Sequence, residues 1–83
     1  MAKFITWEQY LGTVEMPVLS TEMINVDAIA NATRYEKNGI EFTLIVLNVG
    51  FNNHGDTYEL RMPFPIQQLF DAIKSDCIIA EIK

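Results

Sequence analysis

Eighty-three residues, 49% of them hydrophobic, fit one small folded domain spanning 1–83 and are too apolar for a disordered chain. A chain this short buries roughly 60–65% of its unfolded surface, so its core is small and its stability margin modest. Eleven acidic against six basic residues, a formal charge of −5, argue against direct nucleic-acid binding and against an anionic membrane surface, since both need a basic patch.

From Lys3 to Leu11, Ile5, Trp7 and Leu11 alternate with Thr6, Glu8 and Tyr10, which predicts a strand. Thr6-Trp7-Glu8-Gln9 also fits a capping box, the competing helical reading. Gly12-Thr13 is a break. Pro17 holds Met16 extended, so Met16-Pro17-Val18-Leu19 reads as an edge segment. Ser20 to Lys37 admits two readings. A helix capped by Ser20 or Thr21 would set Met23, Val26 and Ala30 on one face and stop at Gly39. Against it, Ala28, Ala30 and Ala32 fall at period two, and Asn25, Val26, Asp27, Asn31, Thr33 and Tyr35 are poor helix formers. The expectation is a bend at Asn25-Val26-Asp27 and a strand from Ala28 to Lys37.

Asn38-Gly39 between two hydrophobic runs is a strong hairpin signal, because a type I′ turn needs positive φ at both central residues. Ile40 to Val49 is the firmest strand. Ile40, Phe42, Leu44 and Val46 point one way; Glu41, Thr43, Ile45, Leu47 and Val49 point the other. Both faces are apolar after Thr43, so the strand is expected at the centre with cover on each side. Gly50 to Asp56 is a polar loop. Thr57 to Met62 alternates again, with Tyr58 and Leu60 inward and Glu59 and Arg61 outward; Met62 fits the inward set less well. Pro63 and Pro65 end it and open a helix over about residues 65–75, where Ile66, Leu69, Phe70 and Ile73 form an apolar stripe and Lys74 complements the helix dipole. Cys77 to Ile82 makes a last short strand or extended tail.

These elements predict an α+β fold: a small antiparallel sheet of four to five strands with one C-terminal helix packed on one face. One helix covers one face only. The other would expose Ile45, Leu47 and Val49, and with Phe51 and Trp7 these make the candidate interface. The lone Cys77 rules out an internal disulfide and reads as a small buried hydrophobe. No apolar run is long enough to span a bilayer, and the amino terminus lacks the pattern of a signal peptide, so the expected compartment is cytoplasmic.

Chemistry is sparse. His54, the only histidine, has Asp56 and Glu59 nearby, but an exposed loop histidine explains it better than a metal or catalytic site. The four glycines cradle no phosphate, and neither serine sits in a nucleophile motif. Glu36 and Glu41 could face each other beside the hairpin turn, with Arg34 and Lys37 to balance them. No catalytic residue, cofactor or metal is expected.

The run Ile24-Asn25-Val26-Asp27-Ala28-Ile29, the charged hairpin, Phe42-Thr43-Leu44-Ile45-Val46-Leu47 with its following glycine, and a strand feeding Pro65-Ile66-Gln67-Gln68-Leu69-Phe70 together resemble the FlbD-like flagellar proteins and short phage or mobile-element proteins. The resemblance covers about two-thirds of the chain; the longer amino terminus and Asn52-Asn53-His54-Gly55 depart from it. It implies a curled antiparallel sheet with a helix, an adaptor-like role and no catalytic residue.

The expected function is a non-enzymatic protein–protein interaction module, a homodimer, of regulatory or accessory kind in a phage or mobile element. Two other readings stay open. An acidic inhibitor mimicking nucleic-acid charge would gather its carboxylates on one face. A small-ligand binder would line an apolar pocket with Trp7, Phe42, Tyr58, Phe64 and Phe70.

Overall fold

Alternation at the amino terminus yields one long hairpin. In the computed structural model, which describes residues 3–48 and 57–83, β1 (Phe4–Gly12) pairs antiparallel with β2 (Pro17–Asn25) along their whole length. The loop turns on Gly12, at φ +87°, where a Cβ would lie 2.5 Å from the Met16 carbonyl oxygen. Thr13 Oγ1 accepts the Met16 N–H at 3.0 Å and closes the loop. The capping-box helix does not form. Ile5 and Trp7 both enter the core, and residues two apart share a face only in a strand.

A 3₁₀ turn at Val26–Ala28 carries the chain off this sheet. Asn25 Oδ1 accepts the Asp27 N–H at 2.9 Å, and the Val26 N–H donates to the Lys3 carbonyl at 2.9 Å. This is the expected bend, and the rival helix over Ser20–Lys37 is absent. β3 (Ile29–Lys37) and β4 (Ile40–Asn48) flank Asn38 at φ +54° and Gly39 at φ +78°, as a type I′ turn requires. The β3 register slips by one residue between Ile29 and Asn31. β5 (Thr57–Met62) joins the far side of β4. The Phe64 N–H folds back onto the Met62 carbonyl at 2.8 Å, and α1 (Ile66–Lys74) follows Pro65. β6 (Ile79–Ile82) returns parallel to β1, from Phe4↔Ile79 to Trp7↔Ile82.

The α+β class holds, but the single antiparallel sheet of four to five strands does not. There are two three-stranded sheets, ordered β2-β1-β6 and β3-β4-β5, and β6 brings a parallel pair. The 3₁₀ turn separates β2 from β3. The β1–β6 pairing joins opposite ends of the sequence, which no local pattern encodes.

The core lies between the sheets. Ile5, Trp7, Ile24, Ala80 and Ile82 meet Ile45 and Met62, and α1 adds Leu69 and Ala72. Phe70, expected in the helix stripe, is 42% exposed, and Ala72 is buried instead. Trp7 Nε1 donates to Gln9 Oε1 at 3.1 Å, and Thr43 Oγ1 donates to the Phe64 carbonyl at 2.9 Å, so the buried polar groups are satisfied.

The C-terminal end of α1 is held from a distance. Lys3 Nζ donates to the Ile73 carbonyl at 2.8 Å, to the Ser75 carbonyl, and to Ser75 Oγ at 3.3 Å. Ser75 Oγ donates to the Ala72 carbonyl at 2.9 Å. Lys74 occupies the last turn as expected, but Lys3 supplies these hydrogen bonds.

The radius of gyration is 13.7 Å, against about 12 Å for a compact chain of this length. The buried residues of the β1–β2 ladder end at Trp7 and resume at Ile24, so the remainder projects as an arm.

Candidate interaction surfaces

The candidate interface residues divide sharply. Trp7 and Ile45 are 0% exposed and belong to the core, so they cannot contact a partner. Leu47 is half-buried and packs against that core. Val49 and Phe51 lie outside the described residues. The inference of a second apolar face on β4 is right, but its parity is inverted. Ile45 pairs with Leu60 and Val46 with Glu59, and cross-strand partners share a face. Turning Glu59 and Arg61 outward therefore turns Val46 and Leu44 outward with them.

The open face of the second sheet thus carries Tyr35, Ile40, Phe42, Leu44 and Val46. Ile40 is 69% exposed, and Leu44 and Val46 are half-buried. Tyr35 and Phe42, directly opposite across the ladder, stack at 5.5 Å between centroids and 11° between planes. The Arg61 guanidinium lies 4.4 Å over the Phe42 ring. This ordered stack gives the face a fixed shape.

On the opposite side of the same hairpin, Arg34 bridges Glu41 at 2.6 Å and Glu36 at 2.9 Å. Its hydrogen bond to Glu41, then attraction to Glu41 and the bond to Glu36, raise the Arg34 pKa above its ordinary value. A raised cation pKa contributes at every pH below the unfolded value and is lost only in strong alkali, so the bridge is constant across physiological pH. The facing carboxylates Glu36 and Glu41 therefore share one guanidinium, which offsets one of their two negative charges.

The projecting arm is the second apolar surface. Tyr10 pairs with Leu19 on one face and Leu11 with Val18 on the other; all four are exposed, and Val14 and Met16 cap the tip. From Phe4 to Asn25 the only charged side chains are Glu8, Glu15 and Glu22. The arm is thus apolar on both faces and charged only with carboxylates.

An open groove of about 550 Å³ runs between the arm and β5, lined by Gln9, Tyr10 and Leu11 on one side and Tyr58 to Arg61 with Pro63 on the other. The pocket aromatics do not converge there or elsewhere. Trp7 is in the core, Phe42 on the open sheet face, and Tyr58 and Phe70 at the surface, because they fall on different faces of different elements. Nor do the carboxylates share a face. Glu8 and Glu22 project from opposite sides of the β1–β2 ladder, and Asp71 is on α1.

Cys77 is exposed, contrary to its expected burial, because it lies on the surface connection from α1 to β6. His54 lies outside the described residues. Among the described residues, no three of His, Cys, Asp and Glu come together in a metal-binding group, and no helix is long and apolar enough to cross a membrane. Sequence reasoning missed the arm. Its signal was present in Tyr10, Leu11, Val14, Met16, Val18 and Leu19 around a glycine, but it reads equally as core strand. No family model, curated protein or solved structure matches this chain.

Proposed function

We propose that this chain is a non-enzymatic protein–protein interaction module that works as a homodimer through the open face of β3-β4-β5. The observation that carries this reading is the stripe of Ile40, Phe42, Leu44 and Val46, which neither α1 nor the first sheet covers. Lys37 and Arg61 share this face with Glu59, so two copies meet there without strong self-repulsion. The acidic arm, by contrast, repels its own copy and suits a basic partner. The likeness of the sequence to FlbD-like and short phage proteins is the basis for proposing an accessory or regulatory role in such an element.

Sedimentation equilibrium tests the dimer. The wild-type chain should associate at micromolar concentration and Leu44→Glu should remain monomeric while keeping its thermal transition. A wild-type monomer at high micromolar concentration would refute the dimer.

A further inference from the structure

The groove between the arm and β5 is bounded by two strand edges. β6 pairs with β1 only from Phe4 to Trp7, although β1 continues to Gly12. The Phe4 N–H donates to Ile78 on the β6 side, whereas the Lys3 carbonyl accepts from Val26 on the β2 side. Backbone groups alternate along a strand, so Thr6, Glu8 and Tyr10 direct theirs to the β6 side. The parallel Trp7↔Ile82 pair occupies the Glu8 N–H with the Ile82 carbonyl, and beyond it no described strand meets the Glu8 carbonyl or Tyr10.

The same reasoning applies to β5. A two-residue turn makes Lys37↔Ile40 a hydrogen-bonded pair, so Phe42, Leu44 and Val46 bond to β3 while Thr43, Ile45 and Leu47 bond to β5. Their partners Met62, Leu60 and Tyr58 therefore bond to β4. Glu59 and Arg61 turn their N–H and C=O groups away from β4, and both residues line the groove.

We propose that this groove receives one extended strand of another polypeptide, in line with β6 and hydrogen-bonded to the free edges of β1 and β5. Such a strand supplies the partners that the Glu8 carbonyl and the backbone groups of Tyr10, Glu59 and Arg61 lack within the described fold. Its side chains alternate. Inward ones meet Leu11, Tyr58 and Leu60; outward ones meet a rim where Glu59 and, on the outer face of β1, Glu8 outnumber Arg61, which is engaged on Phe42. The rim selects basic outward residues, so the ligand is a strand of alternating apolar and basic side chains. This deepens the interaction-module reading and rests on it, but not on the dimer.

The test uses the Leu44→Glu chain and a capped seven-residue peptide of alternating valine and lysine. Amide exchange is followed residue by residue. In the free chain, the amides of Tyr10, Glu59 and Arg61 should exchange quickly while those of Glu8, Gln9 and Leu60 are protected. The peptide should protect all three open amides. A valine–glutamate peptide, or the lysine peptide with N-methylated backbone, should bind at least about tenfold more weakly. Tyr10→Pro should abolish binding while sparing the β1–β2 ladder. The double variant Glu8→Lys, Glu59→Lys should reverse the preference between the lysine and glutamate peptides. Protection of these amides in the free chain at all concentrations would refute the open edges. Protection that grows with the chain's own concentration would assign the groove to a second copy and overturn the proposal. Equal binding of the N-methylated peptide would do the same.

Discussion

Lys3→Met removes one charge and keeps most of the side-chain length. In the structure the ammonium group is half-buried and bonds to the carbonyls of Ile73 and Ser75 and to Ser75 Oγ. Its loss leaves the Ile73 carbonyl without that donor at the end of a nine-residue helix. A hydrogen bond from a charged group contributes about 1.5–3 kcal/mol, and a cation at a helix C-terminus about 0.3–1 kcal/mol when exposed. These effects overlap, because the same ammonium makes both, so the expected cost is about 2–3 kcal/mol. For a domain of this size, each kcal/mol lowers Tm by about 4–8 °C, giving a fall of about 10–20 °C. Urea denaturation should show a lower midpoint at an unchanged m-value, since the surface exposed on unfolding is nearly the same. Lys3→Arg should recover part of the loss. A Tm within about 2 °C of wild type would show that Lys3 does not hold α1 in place, and the account of the helix end would fail.

Gly12→Ala places a Cβ 2.5 Å from the Met16 carbonyl at a φ of +87°. It should distort the arm, with nuclear magnetic resonance shift changes confined to residues 10–19 and a global loss of no more than about 2 kcal/mol. Thr43→Val keeps the shape but leaves the Phe64 carbonyl unpaired, and should cost about 1–2 kcal/mol by urea titration. Trp7→Ala should cost about 3–5 kcal/mol, close to the whole stability of a domain this small, and abolish the cooperative transition in circular dichroism. An unchanged transition would instead place Trp7 at a surface.

The sequence by itself determined the local pieces. Asn38-Gly39 needs no tertiary help to turn, because only residues tolerant of positive φ fit both positions. The alternation of Thr57–Met62, the proline stop and the stripe of 66–73 likewise follow from period and backbone chemistry. The period-two alanines favoured strand over helix for Ala28 to Lys37 but left both open, and pairing with β4 decided it. Tertiary structure decided which apolar face became core. β4 is apolar on both faces, so its periodicity carries no parity, and the sequence between β4 and β5 is longer than the two-residue turn that would fix their register. Pairing Ile45 with Leu60 made that choice, buried Ile45 and left Leu44 and Val46 outside. The same holds for Trp7, which is apolar enough for either place and was enclosed only when β6 came back beside β1. Because β6 stops at Ile82 opposite Trp7, the β1 edge from the Glu8 carbonyl onward meets no described strand, and that groove is a property of pairing between the two ends of the sequence.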